Sequence, residues 1–215
     1  MKVHQIKYHE CEEWLLKIHY AKRLPPITYS FGLYIDKKLE GIVTYGSPPS
    51  PSLCIGICGV EYKETVLELN RLCLLNNKKN QASFLVGNSL KLLPKPSIIV
   101  SYADTSMNHK GYIYQATNFI YTGLSDKRTE WRMINSNKHS KTIVELYSLE
   151  ERQKNKEKFH MIDRPRKHRY IYFLGDKKQK KEMLGKLNYN IEPYPKGDNK
   201  NYEVGHKPTV QGLLF

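Results

Sequence analysis

Between Ser101 and Gly123 the chain reads SYADTSMNHKGYIYQATNFIYTG, a run that crowds Tyr, Ser, Asp, Thr and His side chains into one short junction. It follows the apolar stretch Ser97-Ile-Ile-Val100 and leads into residues of helical character, so these groups fall where a strand gives way to a helix. Such a junction suits a bound ligand or a reacting group, because a helix start leaves backbone amides unpaired and a strand end projects side chains beyond the sheet. Asp104 can accept a proton or orient an amine there. Ser101, Ser106 and Asn108 can supply hydrogen bonds, Tyr102 a stacking face, and His109 a further titratable group. The same residues have a plainer use, since an aspartate at a strand end also makes Asx turns and caps helices.

The elements that must position this junction can be read from periodicity. A helix is expected over Glu10–Tyr20, where Cys11, Trp14, Leu15 and Ile18 recur at helical spacing. Strands Ser30–Ile35 and Leu39–Tyr45 flank a turn at Asp36-Lys37-Lys38, and strands are also expected at Leu53–Val60 and Thr65–Leu74. A helix over Gln81–Leu93 stops at Lys95-Pro96. Strand Ser97–Tyr102, a helix over Gly111–Tyr121 capped by Gly123, a strand at Glu130–Ile134, a helix around Val144–Lys158, strand Arg169–Leu174 and a helix over Lys177–Leu187 complete the chain. This order implies an α/β fold, a mixed central sheet flanked by helices.

Composition sets the setting. The 215 residues carry a net charge of +14, and from Arg152 to Lys186 thirteen Lys or Arg stand against four acids. Tyr170, Tyr172, Phe173, Tyr189 and Tyr194 interleave those charges, a pattern that favours a nucleic acid as partner. Arg164, Arg166, Lys167 and Arg169 are the expected phosphate contacts. The expected organisation is a catalytic domain over residues 1–145, a basic extension over 146–194 and a flexible tail over 195–215. No stretch approaches the ~20 apolar residues of a membrane span and the N-terminus lacks the apolar core of a signal peptide, so a cytoplasmic protein is expected. The four cysteines are expected as reduced thiols, and Cys54-x-x-x-Cys58 finds no second Cys or His pair to complete a metal site.

Residues Glu68–Leu90, ELNRLCLLNNKKNQASFLVGNSL, resemble the central motif of the GCN5-related acetyltransferase (GNAT) superfamily, in which a strand meets a turn and a helix whose amides bind the pyrophosphate of acetyl-CoA. Asn80 and Ala82 stand where the superfamily has glycines, with Ser83 beside them. Tyr114 falls on the tyrosine that often serves there as general acid. The blocks HYAKRLPP (from His19), GIVTYGSPPS (from Gly41, after which comes Tyr45), LNRL with Arg71, NQASF and the quoted junction resemble, in order, the Mom family of phage DNA-modification proteins, a divergent branch of the same fold. That resemblance implies carbamoylmethylation of adenine N6 in DNA as protection from restriction. Asp104, Tyr114, His19 and Glu68 become candidates for catalysis, and Arg71, Asn80, Ala82, Ser83, Ser101, Tyr102, Ser106, His109 and Tyr45 for binding.

Adenine N6 is a weak nucleophile stacked inside a duplex, so such an enzyme has to flip the base and either deprotonate the amine or use an activated donor. Bonding N6 to a methylene carbon is not acyl transfer. Acetyl-CoA, another acyl or glycine-derived donor, and a metal-dependent step all stay open. Two other readings fit the same residues: an N-acyltransferase acting on a protein or small amine through acetyl-CoA, and a non-catalytic DNA-binding accessory protein. Separately, Gln211-Gly-Leu-Leu-Phe215 resembles the peptide by which bacterial replication proteins bind the sliding clamp, with Gln211 at the pocket rim and Leu214 and Phe215 in its cleft.

Overall fold

The structure, a computed structural model, describes residues 1–136, 138 and 140–197. The clamp-like residues Gln211, Leu214 and Phe215, and most of the expected tail, lie outside them. The chain opens with strand β1 (Lys2–Gln5), helix α1 (Tyr8–Glu13) and a π-helical turn over Trp14–Ile18. A hairpin of β2 (Tyr29–Ile35) and β3 (Lys38–Gly46) follows. Its turn residues Asp36 and Lys37 take positive φ of 49° and 65°, the mirror-image turn whose twist suits antiparallel strands. Then come α2 (Pro51–Cys58), β4 (Val66–Leu74), α3 (Gln81–Leu92), β5 (Ser97–Asp104), α4 (Tyr112–Ala116), β6 (Ile120–Leu124) and β7 (Arg128–Met133). The last elements are α5 (Ser140–Leu146), α6 (Leu149–Lys154), β8 (Phe159–Arg164), β9 (Lys167–Leu174) and α7 (Lys177–Gly185).

Seven strands form one sheet in the order β1-β2-β3-β4-β5-β9-β6, antiparallel except for the β4–β5 pair, and β7 and β8 form a separate antiparallel ribbon. Alternation along the central strands divides two cores. Ile99 and Ala103 of β5 and Tyr170 and Leu174 of β9 face α3, whose Leu85, Val86 and Leu90 are buried against them. Ile98 and Val100 of β5 and Ile171 and Phe173 of β9 face the other way, onto Ile57 and Cys58 of α2 and Met183 of α7. Burial on both faces explains why these strands read as near-continuous apolar runs. Each such side chain contributes about 1.5–3 kcal/mol on leaving water. This is the mixed α/β sheet flanked by helices that the element order implies.

Several expectations are corrected. Leu53–Val60 is not a strand: Pro51–Cys58 is a helix, started by Ser50, whose hydroxyl accepts from Leu53 N–H, and by Pro51 in the first turn. The helix expected over Gly111–Tyr121 ends at Ala116, because Asn118 turns left-handed (φ 61°) and Ile120–Leu124 joins the sheet beside β9. The single helix expected around Val144–Lys158 is two, broken where Ser148 forms a capping box with Glu151, and Phe159–Arg164 beyond it is a strand. A boundary at residue 145 does not divide the fold, since β9 lies between β5 and β6 inside the main sheet.

Gly111 shows how tightly the quoted junction is held. It starts α4 at φ 75°, and a Cβ there would overlap the ring of Tyr170. Tyr170 Oη donates to the Lys110 carbonyl and accepts from Gln115 Nε2, fixing that ring. Gly111→Ala combines a left-handed alanine, about 1–2 kcal/mol, with a steric overlap, so the variant is expected to lose at least about 2 kcal/mol in urea denaturation. An unchanged unfolding midpoint would show that the junction relaxes freely.

Candidate functional site

Strands β4 and β5 pair in parallel from Val66↔Ile98 to Leu69↔Ser101 and then part. The rest of β4 stays with β3, and the rest of β5 with β9. At the last shared rung buried Ser101 donates through Oγ to the Leu69 carbonyl (3.0 Å). Beyond it, outside the carboxyl ends of both strands, opens a cleft of about 860 Å³. This is where parallel strands of open α/β sheets hold ligands. Glu68 and Arg71 of β4 and Tyr102 of β5 line its floor. The start of α3 with Lys78, Lys79 and Asn80 forms one wall, and His109 to Tyr114 another. His19 and Tyr20 come over from the turn after the π-helix, and Lys167 from the start of β9.

The first turn of α3 is built for an anion. Asn80 takes the left-handed conformation (φ 66°) in place of a glycine, which asparagine tolerates, and makes no side-chain cap. Ala82 and Ser83 follow as the second and third helical residues, whose amides have no intrahelical acceptor. Both line the cleft with Lys78 and Lys79 beside them, so amide dipoles and ammonium charge act in the same direction. Arg71 donates to the Asn70 carbonyl (2.6 Å), while its buried Nε has no partner among the described residues. Because that nitrogen is shut off from solvent, what Arg71 offers the cleft is its positive charge.

The acids divide by environment. Asp104 is occupied: Oδ1 accepts from Ser106 N–H (3.0 Å) and Ser106 Oγ (2.7 Å), and Oδ2 pairs with Lys167 Nζ (3.2 Å). Burial pushes its pKa up, but the Ser106 and Lys167 contacts outweigh that and hold it below the ordinary carboxylate value. Its geometry is that of a turn cap that also aims Lys167 at the cleft, and Ser106 serves that cap. Glu68 is the reverse case. Burial raises its pKa against the opposing pull of Lys167 and Arg71, and among the described residues its carboxylate has no hydrogen-bond donor. A carboxyl with raised affinity for a proton, lining a cleft, has the character of a general base.

His19 is buried and stacked on Tyr20 at 4.4 Å, with the edge of Tyr20 toward His109 at 6.4 Å. Its Nδ1 accepts from Ala21 N–H (3.1 Å), which leaves the proton of the neutral ring on Nε2. Burial and the nearby Arg71 charge lower its pKa to about 4, so at neutral pH His19 donates a hydrogen bond rather than taking a proton. Tyr114 stays protonated, since burial raises its phenol to about 12 although the Ser101 hydroxyl pulls the other way. Tyr102 is likewise raised by burial.

Not every expected site residue is at the cleft. Tyr45 is fully buried in the core, bonded to Ser89 Oγ (2.7 Å), and does not line it. Of the four expected phosphate contacts, Arg166 donates to the carbonyls of Ser125 (2.5 Å) and Leu124 (3.1 Å), and Lys167 pairs with Asp104. Arg169 is buried, bonded to Thr122 and stacked 3.4 Å from the Tyr189 ring centroid. Arg164 alone of the four is exposed. Conversely Tyr20, Lys78 and Lys79 enter the cleft without having been singled out. Tyr20's place beside His19 in the HYAKR block was the available signal.

Fold and cleft together define an α/β protein with an open cleft where two parallel strands separate. The chain belongs to the Mom protein family, whose family model matches residues 1–196. It is similar to methylcarbamoylase mom of Escherichia phage Mu, 27% identical over 188 residues, covering 83% of this chain and 76% of that protein. Among solved structures it is similar to Arabidopsis thaliana NAA60 in complex with acetyl-CoA (TM-score 0.47, 14% identity, 80% of this chain and 98% of that one). It is also similar to a GNAT-family acetyltransferase from Bacillus cereus (TM-score 0.42, 13% identity, 80% and 96%).

The state of His19 has a measurable sign. Between its ordinary value of 6.5 and about 4 the unfolded chain binds a proton that the folded protein excludes. Stability contributed by the neutral ring is therefore complete above pH 6.5 and declines as pH falls, by about 3 kcal/mol near pH 4. Urea denaturation at pH 7.5 and 4.5 is expected to show that decline in the wild type and a markedly smaller one in His19→Gln. Equal declines would mean that His19 titrates normally.

Proposed function

We propose that the protein is a DNA-modifying transferase that attaches a carbamoylmethyl group, or a closely related glycine-derived group, to N6 of adenine in double-stranded DNA, and so shields the DNA from restriction. Membership of the Mom family, with a methylcarbamoylase as a relative along most of the chain, carries this reading. The cleft supports it by offering a proton acceptor, an anion-binding helix start and aromatic faces in one opening.

In this reading the adenine leaves the stack and enters the cleft, with Tyr20 and Tyr102 available for stacking. Glu68 receives the proton that N6 loses as its nitrogen bonds to the methylene carbon. The donor supplies that carbon together with a leaving group that departs with the bonding electrons. Ala82 and Ser83 amides with Lys78 and Lys79 hold the anionic part of the donor, and the Arg71 charge adds to that attraction. Tyr114, a phenol that keeps its proton, is the acid for the leaving group, and the Nε2–H of His19 orients the acceptor side. Asp104 acts by placing Lys167. The amide pattern at α3 fits a donor that carries a phosphate or a smaller anion.

DNA from cells expressing the protein, digested to nucleosides, is expected to contain a heavier deoxyadenosine derivative by mass spectrometry. Glu68→Gln should reduce it by about a hundredfold, the scale of a lost general base, while leaving the melting temperature within a few degrees. Unmodified nucleosides in the presence of abundant folded wild-type protein would refute the reading.

A further inference from the structure

The ribbon of β7 and β8 grows out of the β9–β6 side of the sheet at the cleft's end of the molecule. Ser125 N–H donates to the Lys167 carbonyl (2.8 Å) immediately before the ribbon begins. Lys167 lines the cleft, and Arg164 precedes it by three residues, about 10 Å of extended chain. Side chains along the ribbon alternate between two faces. On one, Arg152 of α6 lies 5.1 Å over the Trp131 ring and Tyr147 packs against Phe159 at 4.9 Å, so those two rings are covered, while Met161, Thr129 and Asp163 of the same face are exposed. The other carries the cross-strand pairs Arg128/Arg164, Glu130/Ile162 and Arg132/His160.

On this second face Glu130 offsets Arg132, and the Arg128/Arg164 rung is left as its uncompensated positive end. Arg128, Arg164 and His160 are exposed, and among the described residues neither Arg128 nor Arg164 forms an ion pair. Like charges directly opposite on a two-stranded ribbon repel, and an anion beside the Arg128/Arg164 rung would relieve that repulsion. Arg132 pairs with Glu130 through one terminal nitrogen (2.5 Å), while its Nε is buried without a partner. The two basic rungs are four residues apart, about 13 Å along the strands, close to the ~12 Å width of the DNA major groove. A ribbon laid across that groove sets one rung on each flanking phosphate ridge.

We propose that the arginine-bearing face of the β7–β8 ribbon is the surface that docks duplex DNA, with the exposed Arg128 and Arg164 on one phosphate ridge and the half-buried Arg132 with exposed His160 on the other, so that the neighbouring cleft stands over the extruded base. The assignment rests on duplex DNA being the substrate, and it moves the docking surface away from Arg166 and Arg169, whose side chains are engaged inside the fold, and from Lys167, which is paired with Asp104 at the cleft.

The test uses the full chain and fluorescence anisotropy with a labelled duplex of arbitrary sequence over a range of salt concentrations. Arg128→Ala with Arg164→Ala should lower affinity at least about tenfold at low salt and make the slope of log affinity against log salt shallower by about 1.8, two phosphate contacts. Arg128→Lys with Arg164→Lys keeps the charge and should keep the slope, which a merely structural role for the arginines would not predict. Lys177→Ala with Lys178→Ala, basic residues on α7, should leave the slope as in the wild type. A ribbon variant with unchanged slope, or an α7 variant that flattens it in the ribbon's stead, overturns the docking assignment while leaving DNA as substrate. A wild-type protein that binds no duplex removes the DNA reading and the docking surface together.

Discussion

The parting of β4 and β5 is the constraint on which everything else in the molecule depends. Two parallel strands can share a ladder only while their neighbours allow it, and here β3 and β9 each keep hold of one strand beyond Leu69 and Ser101. The strands' own pairing groups are thus exposed toward a gap that no backbone fills. Such a gap needs polar side chains, helix amides or ligand atoms to complete its hydrogen bonding. Glu68 and Arg71 line it because they sit on the strand that turns away, and α3 starts there because the chain leaving β4 must climb back over the sheet to reach β5. Had the two strands stayed paired to their ends, the same residues would have made an ordinary sheet with no opening.

Charge is spent unevenly around that opening. A chain with a net charge of +14 invites a picture of a solvent-facing basic coat, yet some of its cations are structural. Arg166 and Arg169 tie β9 to the β6 edge by donating to carbonyls and a hydroxyl, and Arg152 is buried with its Nε shared between the Tyr147 and Ser148 carbonyls. A guanidinium suits this work because it presents several donors in one plane and packs its face on aromatic rings, as Arg169 does on Tyr189. Density of Lys and Arg along a sequence therefore says where positive charge is made and little about where it points.

Legibility followed the range of the forces. The β2–β3 hairpin, α3 and β5 could be read closely because turn chemistry, capping and alternation act within a few residues. The helix at Pro51 hid behind an apolar run, Leu53–Cys58, that suits a strand as well as a helix, and only the Ser-Pro start distinguishes them. The end of α4 turned on one left-handed asparagine, and the strand after it needed β9, some fifty residues away, to pair with. At the site, Glu68, Arg71, His19, Tyr102 and Tyr114 could be named from motif blocks, and they do share a cleft. What could not be read was availability: whether Asp104 is free or capped, and whether Tyr45 faces the opening or the core, depend on partners brought together by the fold.

The placement of β9 between β5 and β6 also has a consequence for how the protein is made. As the polypeptide leaves the ribosome, β5 and β6 are synthesised well before Lys167–Leu174 exists to join them. Until then β5 has an open edge and its Ile98 and Val100 lack Ile171 and Phe173 beside them. A nascent chain in that state offers just the kind of unpaired apolar strand that other chains can add to. Insertion of one late strand both seals the sheet and delivers Lys167 to the cleft, so the unfinished molecule has a sticky edge and an incomplete cleft, and completion ends both conditions at once.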